Sequence, residues 1–347
     1  MLAMARTNKP FPIDLALQGG GSHGAFTWGV LDRLLEDGTL AIDGISGTSA
    51  GALNAGVLAT GYARAGAGGA RDALQAFWLD VASRGACFGT HVPAAPSAGL
   101  AGYNLETNPF FTMFNQWLKL FSPYQFNPLG LDPLRDVAKR HIDPAAIAQG
   151  PIKLVVIATS VHSGQAEVFS GKRLSLDAFL ASACLPQLFK AVEIDGVPYW
   201  DGGYSGNPAL WPLIYETEAT DLLLVKVNPL VREGVPDTAE EIADRVNEIT
   251  FNASLAGEMR AIHFVQELLH AQKLNPRRYK NLRLHMVADE DGLAALHPSS
   301  KMNTDRSFLM ALHRLGVEAA DRWLATSRSQ VGRTSSLDIE KTFLARR

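Results

Sequence analysis

Apolar and polar positions along the chain alternate between runs of strand length and repeats of helical period. "IDLALQ" reads as a buried strand, and "AFTWGVLDRLLEDG" as a helix that closes at Gly38. "LAIDGIS" gives a second strand, followed by the helix "SAGALNAGVLATGY". "IKLVVIATS", "DLLLVKVNPL" and "NLRLHMVA" are further strand-length runs. "TAEEIADRVNEITFNASLAGEMRAIHFVQELLHAQKL" is a long helical region whose continuity the pattern leaves open, and "DRSFLMALHRLGVEAADRWLATS" a closing helix. "VEIDGVPYW" reads as a hairpin turning at Asp195-Gly196. Strand and helix in this order predict an α/β fold, three-layer α/β/α with a mainly parallel central sheet. "ARAGAGGA", from Ala63 to Ala70, is expected to be a flexible connection. The Ser- and Arg-rich stretch 326–347 is expected to be a mobile tail, leaving 12–325 as one domain.

Composition narrows the function classes. A 347-residue chain with 47% apolar content builds a sizeable core and is not globally disordered. A net charge of −3 carries no polybasic signature, which removes nucleic acid as an expected partner. Two cysteines, Cys87 and Cys184, fit small buried thiols in a reducing compartment better than a disulfide scaffold. No apolar run reaches bilayer length, and the N-terminus lacks the apolar centre of a signal peptide. Cytoplasmic residence is the resulting expectation. No cluster of His, Cys and Asp has ligand-like spacing, so neither metal nor cofactor is expected.

Two glycine motifs carry the chemistry. "GGGSHG", Gly19 to Gly24, follows the first strand and satisfies the G-x-G-x-x-G pattern of dinucleotide sites, with Asp43 at about the distance of a ribose-binding acid. The second strand, however, runs directly into Gly47-Thr48-Ser49-Ala50-Gly51, a G-x-S-x-G turn between strand and helix. Such a turn needs small neighbours and exposes the serine hydroxyl at a helix N-terminus, where developing negative charge is favoured. A nucleophile there gives the first loop a different use. Its N–H groups can hold the oxyanion formed in acyl transfer, each donor contributing about 3–4 kcal/mol. The acyl-transfer reading explains both motifs together.

Serine needs a base. Of the histidines after Ser49, His285 falls in a strand pattern and His263 and His270 in the long helical region; only His297, in "ALHPSSKMN", sits like a catalytic residue. Asp201 has a better address, after the strand "PYW" and before Gly202-Gly203. A carboxylate beside paired glycines can approach another backbone closely. Farther back, "PFFTMFNQWLKLFSPYQF" holds seven of the 29 aromatic residues of the chain. Phe110, Phe114, Trp117 and Phe121 recur at helical intervals, widened by Phe111 and Leu118. That face either packs into the core or forms a lid or wall of an acyl channel.

GGGSHG, GTSAG and a DGG motif 152 positions beyond Ser49 together resemble the patatin-like phospholipases, and the likeness extends through "ASACLPQLF" and "DGGYSGNPAL" over about residues 12–325. The resemblance implies a patatin-like fold, with 100–140 as a helical lid or cap, and a Ser-Asp dyad without histidine. Carried over, Ser49 is the nucleophile and Asp201 the base. Gly19, Gly20, Gly21, Ser22, His23 and Gly24 form the oxyanion hole, and Gly202 and Gly203 complete the DGG motif. His23 departs from the family, which often carries Arg or Lys there; it is expected either to serve as an anion-site residue or to cap the helix. The implied substrate is a lipid or other acyl ester, with at most transient membrane contact. Small-ester and thioester hydrolysis are the nearest alternatives, and dinucleotide binding through Gly19 to Gly24 is the alternative from another class.

Overall fold

The first strand, β1 (Phe11–Leu17), is buried on both faces over most of its length, as its continuous apolar run requires. This computed structural model describes residues 10–85, 99–106, 108–232 and 234–345. Helix α1 (Gly24–Asp37) follows and stops where Gly38 adopts a left-handed conformation and donates its N–H to Leu34 O. Next come β2 (Leu40–Thr48) and α2 (Ala50–Gly85). Helices α3 (Pro109–Leu120), α4 (Pro123–Phe126), α5 (Pro133–His141) and α6 (Pro144–Gln149) lead to strands β3 (Lys153–Ser160) and β4 (Ala166–Ser170). After α7 (Leu176–Ser182) the hairpin β5 (Val192–Ile194) and β6 (Val197–Asp201) follows. The chain continues through α8 (Trp211–Glu216), β7 (Asp221–Val225), α9 (Ala239–His270), β8 (Arg283–Val287), α10 (Glu290–Ala294) and α11 (Arg306–Thr326).

The strand order is β5-β6-β3-β2-β1-β7-β8, with β4 also paired to β3. Pairings from β3 through β2, β1 and β7 to β8 are parallel, while β4, β5 and β6 form an antiparallel margin. The sheet is therefore mixed, parallel at its centre as expected. Along β3, β2 covers Gly44 to Thr48 against Lys153 to Ile157, and β6 covers Ala158 to Ser160. Strand β4 occupies Val155 to Thr159 from the other edge. Strands β2 and β6 must therefore share one edge of β3, running toward each other end to end.

Alternation in the strands divides the core. Ile13, Leu15 and Leu17 of β1 join the cluster beneath α1, α2 and α11. Ala16 joins the opposite cluster, with Leu255, Met259 and Ile262 of α9. Helices thus cover both faces. No helix among the described residues is long and apolar enough to cross a membrane.

Several expectations need correction. Ala63 to Ala70 is helical apart from Ala65 and Gly66, where the two halves of α2 join at a kink. Gly69 serves packing, since a side chain on it would strike the carbonyl of Gly61, whereas Gly66 supplies the positive φ of the kink. Helix α9 is continuous, opened by a capping box between Thr238 and Glu241. The stretch after Thr326 is anchored rather than loose, because Val331, Leu337 and Ile339 are buried and Ser336 and Leu337 donate backbone N–H groups to Leu284 O. The hairpin reading stands: Asp195 and Gly196 both have positive φ, as a type I′ turn demands. Cys184 is a buried free thiol, and Cys87 lies outside the described residues.

Helices α1 and α11 cross in direct backbone contact at two glycines. A Cβ on Gly29 would meet His313 O, and one on Gly316 would meet Phe26 O. Neither helix can retreat without opening the cluster around Phe26, Val30 and Leu312. Gly316→Ala is expected to lower unfolding free energy by about 1–3 kcal/mol, read from the urea midpoint; an unchanged midpoint would contradict the close crossing.

Candidate active site

The strand-turn-helix around Ser49 is backbone-limited. Ser49 itself has φ of 54°, a left-handed conformation that a non-glycine residue adopts at a cost of order 1–3 kcal/mol. A Cβ on Gly47 would approach Gly51 O to 2.7 Å, and one on Gly51 would meet Leu17 O. Thr48 ends the strand and Ala50 begins the helix, so the Ser49 side chain emerges at the N-terminus of α2. Ser49 N–H donates to Ser182 Oγ at 2.9 Å, which fixes the turn from the end of α7.

Asp201 arrives by the other strand. Because β6 meets β2 end to end along β3, its last residue lies beside the last residue of β2. A Cβ on Gly202 would meet both Ile157 O and, at 3.0 Å, Thr48 Cγ2. Hydroxyls of β2 and β3 hold this segment: Ser46 Oγ donates to Ala209 O at 2.6 Å, Thr48 Oγ1 to Gly206 O at 2.6 Å, and Thr159 Oγ1 to Asp201 O at 2.8 Å. Asp201 is fully buried, and its Oδ1 accepts the Gly203 N–H at 2.7 Å. Burial pushes its pKa up to about 7, while the Ser49 hydroxyl, the Gly203 N–H and Lys301 pull it back. The Ser49 hydroxyl is near enough to act on the carboxylate but stops short of full hydrogen-bond geometry, leaving Oδ2 buried and unpaired. Such loose contacts are common in ligand-free sites.

The Gly19–Gly24 loop is only partly open. Gly19 N–H donates to Asn207 Oδ1 at 2.7 Å, and Gly19 O accepts from Asn228 Nδ2 at 2.7 Å. His23 N–H is taken by Gly20 O, and Gly24 N–H by the carbonyls of Gly21 and Ser22. Among the described residues no acceptor is found for the N–H groups of Gly20, Gly21 and Ser22. The donor set is thus narrower than the whole loop. Glycine is required here by space, since a Cβ on Gly19 would come within 2.8 Å of Ser49 Cβ.

His23 takes neither of its expected roles. Its side chain makes no capping bond; its ring is buried, with Nε2 at 2.8 Å from Ser300 Oγ, and burial keeps it neutral. Asp43 lies toward the start of β2, held by the N–H groups of Glu218 and Ala219. Since Ile42 pairs with Ile13, Asp43 is five or six strand residues, about 15–20 Å, from the glycine loop. The dinucleotide reading loses its acid. His297 bridges Glu106 and Asp244 at 3.6 and 3.5 Å.

The aromatic segment splits into two faces. Phe111 is buried and Phe114 and Leu118 are half-buried, whereas Phe110 is 67% exposed and Trp117 and Phe121 also face outward. Helix α3 ends at Leu120, with Phe121 as its cap. The following stretch reaches the site indirectly. Lys190 Nζ donates to Pro128 O and Ala191 N–H to the Tyr124 hydroxyl, in the loop that begins with Cys184, whose carbonyl accepts the Asp201 N–H. Burial pushes the Cys184 thiol up to about 12, which leaves it inert.

Sequence reasoning missed Gln18, Ser182, Asn207 and Asn228. Gln18 Oε1 accepts the N–H groups of both Val227 and Asn228 at 2.9 Å. These residues set the glycine loop and the serine turn in place across gaps of 133 to 210 positions. Polarity just past β1 and β7 was the available signal for Gln18 and Asn228, while Ser182 ends a helix and Asn207 lies in a loop.

The family model described as patatin-like phospholipase matches residues 15–214, more than half of the chain. The chain belongs to the patatin-like phospholipase family. Membership places it among lipid acyl hydrolases in general, and Gly19, Ser49, Asp201 and Asn207 all fall inside the matched region. No curated protein matches the sequence. Among solved structures, it is similar to VipD from Legionella pneumophila, at 14% identity and a TM-score of 0.38, covering 96% of this chain and 73% of that one. It is also similar to ExoU in the ExoU-SpcU complex from the type III secretion system of Pseudomonas aeruginosa, at 17% identity and a TM-score of 0.35. There the overlap covers 92% of this chain but 53% of the other, so this chain spans about half the ExoU length.

Asn207→Ala would strip the buried Gly19 N–H of its acceptor. It should cost about 1–3 kcal/mol of stability and speed hydrogen exchange at the Gly19 amide. Wild-type exchange there would show that the loop does not depend on Asn207.

Proposed function

We propose that this chain hydrolyses fatty acyl esters through a Ser49–Asp201 dyad and an acyl-enzyme intermediate. One observation carries the reading: a strained serine at a helix N-terminus stands beside a buried carboxylate whose second oxygen has no partner. An unpaired buried carboxylate oxygen is costly to keep. A raised pKa makes Asp201 a better proton acceptor than an ordinary Asp, while leaving it ionised over part of the neutral range.

In the forward step Ser49 Oγ attacks the ester carbonyl as its proton passes to Asp201 Oδ2. The carbonyl π pair moves onto oxygen, where the open N–H groups of Gly20, Gly21 and Ser22 receive it. Collapse expels the alcohol, which takes the proton from Asp201. Water then repeats the sequence against the acyl ester, with Asp201 again the acceptor, and returns Ser49 and the free acid. The exposed faces of Phe110, Met113, Trp117 and Leu120 support a lipid rather than a small ester as substrate, since apolar side chains of this size suit an aggregated acyl surface.

Fluorophosphonate labelling should modify Ser49 and no other residue, as mapped by peptide mass spectrometry. Ser49→Ala should abolish ester turnover, and Asp201→Asn should reduce it at least 100-fold (an order-of-magnitude figure for a lost base), both with the fold intact. Full activity in Ser49→Ala would end the reading. Because the base works only when ionised, kcat/KM should climb with pH and level off above about 7; a flat profile from pH 5 to 8 (about two units either side of that value at most) would argue against Asp201.

A further inference from the structure

A lysine outside the matched family region borders the glycine loop. Lys301 belongs to the short helical turn Pro298–Met302, which is fastened to the loop at two points. Ser300 Oγ lies 2.8 Å from His23 Nε2, and a Cβ on Gly21 would come within 2.5 Å of Lys301 O and 3.3 Å of Lys301 Cβ. The turn is further fixed by Ser299 Oγ, which donates to Glu106 Oε2 at 2.8 Å, and by Asn303 Nδ2, which donates to Tyr103 O at 2.8 Å. The base of the Lys301 side chain is therefore held against the middle of the open donor set.

The amine has no committed partner. Lys301 makes no ion pair or side-chain hydrogen bond among the described residues, although it is only partly exposed. Burial lowers the pKa of the amine, and Glu248, the carboxylate that most opposes this, is itself buried and already holds Arg232 at 2.9 Å and Arg245 at 3.2 Å. Asp244 also acts on Lys301 and lies 3.5 Å from the His297 ring. Lys301 and Arg232 thus share Glu248 and Asp244, and Asp201, when ionised, is the third carboxylate that acts on the lysine. The other groups on Asp201, Tyr204 and Cys184, are neutral, their pKa values raised by burial. His23, also within reach of Lys301, is neutral too.

We propose that Lys301 is a positioning residue that supplies positive charge to this site, from a turn held against the glycine loop and within electrostatic reach of Asp201. The inference rests on the Ser49–Asp201 reading. Before attack the negative charge sits on Asp201; after proton transfer it sits on the substrate oxyanion at the loop. Lys301 attracts the charge in both places, so the transfer takes place without a net change in the charge beside it. A neutral His23 cannot do this. A partly buried cation with no ion pair of its own adds little to the fold against its desolvation cost, which separates this role from a structural one.

The test compares wild type, Lys301→Met and Lys301→Arg for turnover of a neutral acyl ester, pH profile and melting temperature, with fluorophosphonate labelling of Ser49 in parallel. Lys301→Met should lose kcat roughly 10- to 100-fold with little change in KM. The acid limb of its kcat/KM profile should move up by about one pH unit, because Asp201 no longer has the cation that lowers its pKa. Lys301→Arg should restore most of the rate, and Lys301→Met should melt at or above the wild-type temperature. Wild-type kcat and acid limb in Lys301→Met would overturn the proposal. So would a marked drop in melting temperature, or failure to fold, in both Lys301→Met and Lys301→Gln, which would assign the lysine to the fold. Failure of wild type to label at Ser49 would instead remove the dyad on which the proposal stands.

Discussion

Everything at the site depends on β2 and β6 meeting end to end along one edge of β3. Strand β3 offers Lys153 to Ile157 to one and Ala158 to Ser160 to the other, so Thr48 and Asp201 finish side by side. A shared strand fixes both termini through backbone hydrogen bonds, which resist displacement far better than loop packing does. Residues 152 positions apart therefore meet without either depending on a flexible connection. The approach leaves no room for side chains, and Gly47, Gly51 and Gly202 are present for that reason. A methyl group on any of them would press on a strand carbonyl or helix backbone rather than on a side chain that could turn away.

Around that junction, polar groups that appear unrelated in sequence serve one purpose. Gln18, Asn207 and Asn228 bind both ends of the Gly19 peptide and the start of the segment after β7. Ser46, Thr48 and Thr159 bind the carbonyls of the segment beyond β6. Each buried bond contributes about 1 kcal/mol net, but leaving one unmade costs more, so the network specifies position more than it adds stability. The outcome is a loop that packs at Gly19 against Ser49 and keeps three donors uncommitted, while the serine's own backbone N–H is taken by Ser182. Fixed donors need no reorganisation when charge develops, which is the physical basis of their effect.

Much of this was legible in the sequence where the physics is local. Gly38 stops α1, Asp195-Gly196 turns the hairpin, and the glycines around Ser49 mark a turn that tolerates nothing larger. What was illegible is set by partners far along the chain. Strand β4 is five residues with Glu167 among them, too short and mixed to show a pattern, yet β3 supplies its ladder. Gly69 read as flexibility because a close backbone contact and a loose loop have the same composition. In the aromatic segment, helical spacing was visible, but which of Phe110 and Phe111 faces the core depends on where α3 is docked. Lys301 gave no signal at all, since its neighbours at Gly21, Asp201 and Glu248 are all distant in sequence.

The chain also contains a Ser-His-Asp series, which differs from the proposed Ser49–Asp201 dyad in which groups the fold leaves free. Ser336 Oγ lies 2.8 Å from His285 Nδ1, and His285 Nε2 lies 3.1 Å from Asp221 Oδ1. By residue type and distance this is the better triad. Yet Asp221 is also doubly held by Arg283 and accepts the Gly332 N–H, and His285, Arg283 and Gly332 together outweigh burial and keep its carboxyl well below the usual carboxylate range. Ser336 uses its backbone to anchor the C-terminal segment onto β8, on ordinary backbone with no helix N-terminus behind it. Every acceptor there is spent on holding structure. At Ser49 the reverse holds: a carboxylate oxygen without a partner, donors without acceptors and a strained backbone come together, and Asn207 Nδ2, Asn228 Oδ1 and His23 Nδ1 around them are unpaired as well. Chemistry is possible where the fold has left groups uncommitted, and residue identity alone does not reveal which groups those are.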